Sequence, residues 1–150
     1  MPTRFTMGEL QKHAGQHLGV SGWHTLTQER VNQFADATGD HQWIHVDPER
    51  AARGPFGTTI AHGYLTLSLA PLLLHEAFEV ADASLVVNYG LNKVRFPAPL
   101  PVGSRVRADV RCVAVAQVRG GLQVTLGVTF EREGQDKPVC VAEILFRFVT

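Results

Sequence analysis

Apolar residues recur at helical spacing in the first third of the chain. One face of the predicted helix carries four small or apolar positions, namely Val31, Phe34, Ala35 and Thr38. Thr27 precedes this run as a potential N-cap, and Gly39 follows it as a natural C-terminal stop. The pattern therefore predicts a helix that ends at Gly39 and a loop that begins at Asp40. Residues 1–24 show only an irregular or weakly helical pattern.

A second helix start and a long apolar segment follow. Asp47 is a potential cap with Pro48 at the first helical position, which predicts a short helix that ends near Gly54. Residues 61–78 are apolar on nearly every side, so they predict a helix that is buried on every face. Pro71 should kink this helix or mark an irregular turn.

The second half of the chain changes to the period of β-strands. The predicted strands cover residues 84–89, 93–96, 106–114, 124–130 and 139–149. Arg119-Gly120-Gly121 is a predicted hairpin turn. An apolar helix followed by such a meander predicts an α+β domain, in which a curved antiparallel sheet wraps the helix and buries it.

Size and charge restrict the class of protein. The chain has 150 residues of which 45% are hydrophobic, enough for one compact domain over residues 1–150. Lys plus Arg and Asp plus Glu both number 14, without a basic block, so we expect no nucleic-acid partner. Without a signal-peptide pattern or an apolar run near the roughly 20 residues that span a bilayer, we expect a cytoplasmic protein and no membrane partner.

The two cysteines, Cys112 and Cys140, lie in separate predicted strands without Cys-x-x-Cys spacing. We expect both to be reduced and buried. A disulfide between neighbouring strands is the alternative interpretation.

Asp40 and His45 are the first candidates for chemistry. They lie five positions apart where the predicted helix has ended, and such a pair can hold one water molecule between an acid and a base. Burial in one apolar pocket would move the pKa values of both groups toward neutrality. The alternative is structural, with Asp40 capping the next turn and the His45 ring bonded to main-chain carbonyls.

The wider segment favours the chemical interpretation. Phe34, the segments Thr38-Gly39-Asp40 and Ile44-His45, and Ala51 resemble the signature of the MaoC-like, (R)-specific enoyl-CoA hydratases. That signature has Gly-Asp-x-Asn-Pro-aliphatic-His, then a small residue after five positions. The resemblance continues through residues 60–63, IAHG, and residues 94–97, VRFP. It covers most of the chain from Glu29 to Val106.

Three positions depart from the family pattern, and one of them is Ala37, which stands where the family usually has a larger aliphatic residue. Gln42 stands where the family usually has Asn, and Trp43 stands where it usually has Pro. These changes leave the acid–base pair intact and affect the expected substrate size. We expect the substrate pocket to include five residues, namely Gln42, Trp43, Phe56, His62 and Tyr64.

His62-Gly63 opens the apolar segment and is the second candidate. By resemblance, the Gly63 N–H is the donor that stabilises negative charge on a thioester oxygen. A glycine chosen only for close packing is the alternative. For His62 itself, a structural role beside the pocket is favoured. The spacing of His41, His45 and His62 lacks a metal-binding pattern, so we expect no metal and no cofactor.

The resemblance implies a hot-dog fold, in which a curved antiparallel sheet wraps a long central helix, and a homodimer. It implies reversible syn hydration of trans-2-enoyl-CoA to (R)-3-hydroxyacyl-CoA, with Asp40 and His45 sharing the acid and base roles. A hot-dog acyl-CoA thioesterase is one alternative, and a non-catalytic acyl-thioester-binding subunit of a dehydratase complex is another. The sequence leaves the acyl chain length, the carrier and the place in fatty acid metabolism open.

Overall fold

The computed structural model describes residues 1–150. It contains six helices, namely α1 Met7–Gln11, α2 Gln28–Thr38, α3 Trp43–Val46, α4 Pro48–Ala52, α5 Gly63–Ser68 and α6 Ala70–Ala77. It contains eight strands, namely β1 Thr3–Phe5, β2 His17–Val20, β3 His24–Thr25, β4 Phe78–Val80, β5 Leu85–Arg95, β6 Arg105–Val118, β7 Gly121–Arg132 and β8 Cys140–Val149. No helix combines the length and the apolar character needed to cross a membrane.

The larger sheet has six strands in the order β2-β6-β7-β8-β5, with β3 also paired to β6. Its pairs are antiparallel. Alternate residues of β6, β7 and β8 are buried and belong to one core cluster that also contains Leu73 and Leu74 of α6. The sheet therefore covers the apolar helices, which confirms the predicted hot-dog fold.

The predicted helix boundaries around the loop are confirmed. The Thr27 side chain accepts a hydrogen bond from the Arg30 N–H, and Gly39 ends α2 with a left-handed backbone at φ 84°. A residue with a β-carbon rarely adopts that angle. Asp47 caps α4 through the Arg50 N–H, and Pro48 is its first residue.

The apolar segment of residues 61–78 differs from its prediction in two ways. It forms two successive helices, α5 and α6, which meet at Leu69, with Pro71 in the first turn of α6. Burial on every face was also wrong for the single chain, because Tyr64 is 74% exposed and Leu72 is 38% exposed. One stripe of the helical segment therefore faces outward.

The N-terminal region is more ordered than the sequence predicted. Thr6 and Glu9 form a reciprocal capping box at α1, while β1 pairs with β4 and β2 pairs with β6. A β-carbon on Gly19 would lie 2.2 Å from the Ala77 carbonyl oxygen. Only glycine therefore allows β2 to pass this close to the end of α6.

The strands at residues 84–89 and 93–96 form one continuous strand, β5. Two register irregularities, at residues 88–90 and 91–94, let it follow β8 along its whole length. Both cysteines are free and buried, Cys112 on β6 and Cys140 on β8. Burial raises the pKa of the Cys140 thiol to about 12, so this thiol is protonated at neutral pH.

Candidate active site

Asp40 lies directly after the end of α2, in the loop that leads to α3. The Gly39 N–H donates to the Ala35 carbonyl over 2.8 Å, which fixes the point where the loop begins. One carboxylate oxygen of Asp40 accepts from the Gln42 N–H over 3.3 Å. The residue is exposed, so its carboxylate can meet water or a ligand.

His45 is buried in the four-residue helix α3, at 6% exposure. Its Nδ1 lies 2.7 Å from the Ile60 carbonyl oxygen. Because a carbonyl only accepts, Nδ1 carries the hydrogen in this bond, and Nε2 of the neutral ring keeps its lone pair. The free nitrogen has no hydrogen-bond partner within the protein, so it is available for proton transfer.

A second set of bonds holds the main chain of His45. The Gln28 side-chain amide donates to the His45 carbonyl over 2.7 Å. The Thr59 hydroxyl donates to the Gln28 side-chain oxygen over 2.6 Å, and the Ile60 N–H donates to the Ile44 carbonyl over 3.0 Å. The loop at residues 59–60 and the first turn of α2 therefore fix His45 together.

Burial is the largest influence on His45 and lowers its pKa. The hydrogen bond to Ile60 raises the pKa in part, His62 lowers it and Asp40 raises it. The net direction is downward, so the ring favours its neutral form, which is the form that can accept a proton.

His62 and Gly63 approach the same place from the start of α5. The His62 Nε2 lies 2.9 Å from the main-chain oxygen of Asp40, and its ring stacks on the ring of His45 at a centroid distance of 3.9 Å and an angle of 22°. The amides of Gly63 and Tyr64 donate to no acceptor within the protein. They are therefore free to bind an oxyanion.

The structure brings Asp40, His45 and His62 together, with one polar side-chain atom of each within 4.8 Å of the others. A metal ion must lie in the plane of each imidazole that binds it. Because the two stacked rings are 3.9 Å apart at an angle of only 22°, their planes do not meet within the roughly 2.1 Å of a metal–nitrogen bond. The geometry suits proton transfer better than metal binding.

The other predicted pocket residues are more dispersed. Gln42 is exposed, and its side chain makes no cap bond at α3. Trp43 is partly buried beneath Arg50, whose guanidinium lies 4.3 Å from the ring centroid. A β-carbon on Gly54 would lie 2.9 Å from the Trp43 ring, so this loop passes directly over the indole. The Tyr64 side chain points outward.

Phe56 lies with Gly63 in a cavity of ≈ 270 Å³. Its walls are formed by Phe56, Ile60, Gly63, Thr66, Phe96 and Leu100, among others. A β-carbon on Gly63 would lie 3.2 Å from three atoms of the Phe96 ring. The glycine therefore allows an aromatic wall to lie next to the free amide.

Sequence reasoning missed Gln28 and Thr59, and it considered a main-chain carbonyl as the partner of the His45 ring without identifying Ile60. Gln28 follows the N-cap of α2 and has the sequence context of an ordinary first-turn residue. Thr59 has the sequence context of a loop residue. No local pattern connects residues 31 positions apart, as in the Gln28–Thr59 bond. The sequence also does not reveal that the carbonyl of Ile60 orients the ring of His45, 15 positions away.

Comparisons with known proteins agree on one family. The model of the MaoC like domain matches residues 9–133. The 3-hydroxyacyl-thioester dehydratase Z of Mycobacterium tuberculosis is 59% identical over 150 residues, which are 99% of each chain. Nodulation protein N of Rhizobium leguminosarum bv. viciae is 43% identical over 141 residues, covering 91% of this chain and 87% of that protein.

Solved structures share the fold. An R-hydratase from Pseudomonas aeruginosa superposes with a TM-score of 0.76 at 19% identity, over 96% of this chain and 85% of that one. An (R)-hydratase from A. caviae gives a TM-score of 0.73 at 24% identity, over 87% and 95%. Together with the family match and the sequence relatives, these results show that the chain belongs to the MaoC-like dehydratase family of enzymes.

Proposed function

We propose that this enzyme catalyses the reversible syn hydration of trans-2-enoyl-CoA to (R)-3-hydroxyacyl-CoA. The main support is the pairing of a buried neutral His45, tied at Nδ1, with the exposed Asp40 carboxylate. One carboxylate oxygen of Asp40 and one ring nitrogen of His45 lie within 4.8 Å of each other, a separation that one water molecule can bridge with two hydrogen bonds of about 2.8 Å. A relative that is 59% identical is named a 3-hydroxyacyl-thioester dehydratase, which supports the same reaction in the reverse direction.

In the proposed mechanism, Asp40 and the His45 Nε2 hold the water against one face of the double bond. His45 accepts a proton as the water oxygen forms its bond to C3, and the electron pair of the double bond moves toward the thioester oxygen. The Gly63 N–H stabilises the resulting enolate-like oxygen. The His45 imidazolium then donates its proton to C2 on the same face, so one water is consumed and the addition is syn.

Asp40 has a second role in this scheme. Its negative charge favours the protonated form of His45, so it stabilises the imidazolium that exists between the two proton transfers. The Asp40 carboxylate stabilises the His45 imidazolium in the dehydration direction as well. In that direction His45 removes the C2 proton and the hydroxyl leaves as water.

The test is the loss of conjugated enoyl-thioester absorbance with trans-2-enoyl-CoA substrates of increasing length. We expect wild-type turnover to fall by about 10²–10⁴-fold in Asp40→Asn and His45→Gln, in variants that keep the wild-type circular dichroism spectrum. Chiral analysis of the product checks the (R) configuration. Retention of most turnover in both variants would contradict the assignment, and release of free thiol from saturated acyl-CoA would favour a thioesterase.

We further propose that two copies of this chain pair along β5. This strand lies at the edge of the six-stranded sheet, and its exposed apolar residues are Leu85, Val86, Val87, Tyr89 and Leu91. A long apolar edge presents unpaired N–H and C=O groups to any similar edge. Pairing between copies would satisfy these groups and cover the apolar side chains.

We also infer a cytoplasmic location. Both cysteines are free and buried, and free thiols are typical of reducing compartments. A coenzyme A thioester as substrate is consistent with the same compartment.

A further inference from the structure

His62 contains a buried polar atom that the proposed chemistry does not use. The residue is 3% exposed, and its Nδ1 has no hydrogen-bond partner. A buried polar atom without a partner destabilises the fold, whereas an apolar side chain of similar size avoids that loss. Packing alone therefore does not explain an imidazole at position 62.

The partnered nitrogen of His62 fixes the catalytic loop. Its Nε2 lies 2.9 Å from the main-chain oxygen of Asp40, and since a carbonyl only accepts, Nε2 carries the hydrogen. The bond joins residues 22 positions apart. It attaches the exposed end of the loop to the buried start of α5.

The ring of His62 holds the ring of His45, the proposed base, in place. It stacks on His45 at 3.9 Å and 22°, and Phe34 of α2 also contacts it at a centroid distance of 4.9 Å and 54°. Two aromatic neighbours thus restrict the His62 ring, which in turn restricts the face of His45. The main chain of His62 leads directly to the free amide of Gly63.

We propose that His62 is a positioning residue for the hydration, an inference that rests on the proposed function. One imidazole holds the loop of Asp40 by a hydrogen bond and the ring of His45 by stacking, next to the amide that binds the oxyanion. His62 does not touch the reacting atoms in this role. It acts by keeping the acid–base pair and the oxyanion donor in one fixed arrangement, and misplacement of about 1 Å costs such sites about 100-fold in rate.

Two variants separate the two contacts. His62→Gln keeps an amide N–H near the position of Nε2 but removes the stacked ring, whereas His62→Phe keeps a ring but removes the donor. We expect kcat to fall by about 10- to 100-fold in each, with KM changed by less than about threefold, because the lost interaction orients the groups and does not bind the substrate. Folded variants that both keep kcat within twofold of wild type would overturn the inference.

A double variant tests whether His62 acts through Asp40. If it does, Asp40→Asn combined with His62→Phe should turn over within about threefold of Asp40→Asn alone, because residues that act as a unit are not additive. Losses that multiply would overturn the part of the role that acts through the Asp40 loop. Val110→Ala, buried on β6, is the control, which should lower the melting temperature and leave kcat unchanged.

The wild type supplies a readout that needs no variant to fold. A long-range ¹H–¹⁵N spectrum should show the His62 proton on Nε2 and a bare Nδ1, and a proton on Nδ1 would overturn the inference.

In His62→Gln the ring protons of His45 should move downfield as the stacked ring is lost, and unchanged shifts would also overturn the inference. Failure of the wild type to hydrate any enoyl thioester contradicts the proposed function, whereas full kcat in both His62 variants contradicts only the positioning role.

Discussion

The side chain of Gln28 donates a 2.7 Å hydrogen bond to the main-chain carbonyl of His45. The same side chain accepts a 2.6 Å bond from the Thr59 hydroxyl, next to the Ile60 carbonyl that bonds to the His45 ring. His45 is therefore held at its ring by Ile60 and at its main chain by Gln28 of α2, which Thr59 holds in turn. This arrangement leads to the first prediction.

Removal of the Gln28 bonds should impair turnover more than binding. In Gln28→Met, which keeps the length of the side chain, we expect kcat to fall about tenfold with little change in KM, because the orientation of His45 is relaxed. Steady-state kinetics with an enoyl-CoA check this result. Thr59→Ser keeps the hydroxyl and is the control, so it should retain most of the activity; equal losses in both variants would contradict the role of the hydrogen bonds.

The pH dependence of stability should reveal His45. Its pKa is lowered in the folded protein, mainly by burial, so the unfolded chain binds more protons than the folded one between the folded pKa and the ordinary value of about 6.5. Folding stability is therefore expected to decrease as pH falls through this window. The measurement is the wild-type urea midpoint minus that of His45→Gln at pH 5 to 8.

This difference isolates one group from the other histidines, including His41, whose pKa is raised by its hydrogen bond to Asp36. A difference in midpoints that does not change with pH would contradict a lowered pKa for His45. The acid limb of kcat/KM should also lie below about 6.5, since that limb reports the free enzyme.

Gly63→Ala should lower the activity of the enzyme and leave its folding stability nearly unchanged. Alanine favours helices over glycine by about 0.5–1 kcal/mol, so the melting temperature should not fall far. The new β-carbon would lie 3.2 Å from the Phe96 ring, which must move within the cavity, and we expect kcat/KM to fall at least about tenfold through a disturbed oxyanion site.

The double variant Gly63→Ala with Phe96→Leu tests the cause of that loss. The smaller side chain removes the contact and should restore part of kcat/KM. If Phe96→Leu restores nothing while both proteins remain folded, the loss arises from the glycine backbone and not from the ring.

A charge on the free edge of the sheet should weaken the proposed pairing of two copies. Val87 is 44% exposed on β5, and in Val87→Lys we expect the dimer dissociation constant to rise at least about tenfold, because lysine on an edge strand opposes pairing. Analytical ultracentrifugation over a concentration series measures the change. Val113→Lys, at a site 49% exposed on β6, is the matched control and should behave as wild type.

Local signals in the sequence were sufficient for part of the molecule. The structure confirmed the limits of α2 that Thr27 and Gly39 predicted, and it confirmed the strands that the alternation within residues 106–114 and 124–130 predicted, as parts of β6 and β7. Each of these features depends on neighbours along the chain. Their prediction needs only the spacing of apolar side chains and the chemistry of helix ends.

Other features depend on contacts between distant residues and could not be predicted. The strands β1 and β2 form because β4 and β6 lie beside them, against weak local preference. The capping box of Thr6 and Glu9 was the one available signal in that region. Likewise, the sequence shows that His62 directly precedes Gly63, but it does not reveal that the His62 ring stacks on the His45 ring.

The Phe56 and Phe96 side chains line the cavity at the Gly63 amide, yet neither appears among the hydrogen bonds that hold Asp40 and His45. In the proposed site, the residues that transfer protons are therefore different from the aromatic residues that line this cavity. We therefore expect substitutions at the two phenylalanines to change which acyl group the proposed site accepts and to leave the hydrogen bonds of Asp40 and His45 in place. A scaffold divided in this way permits substrate preference to evolve while the reaction stays the same.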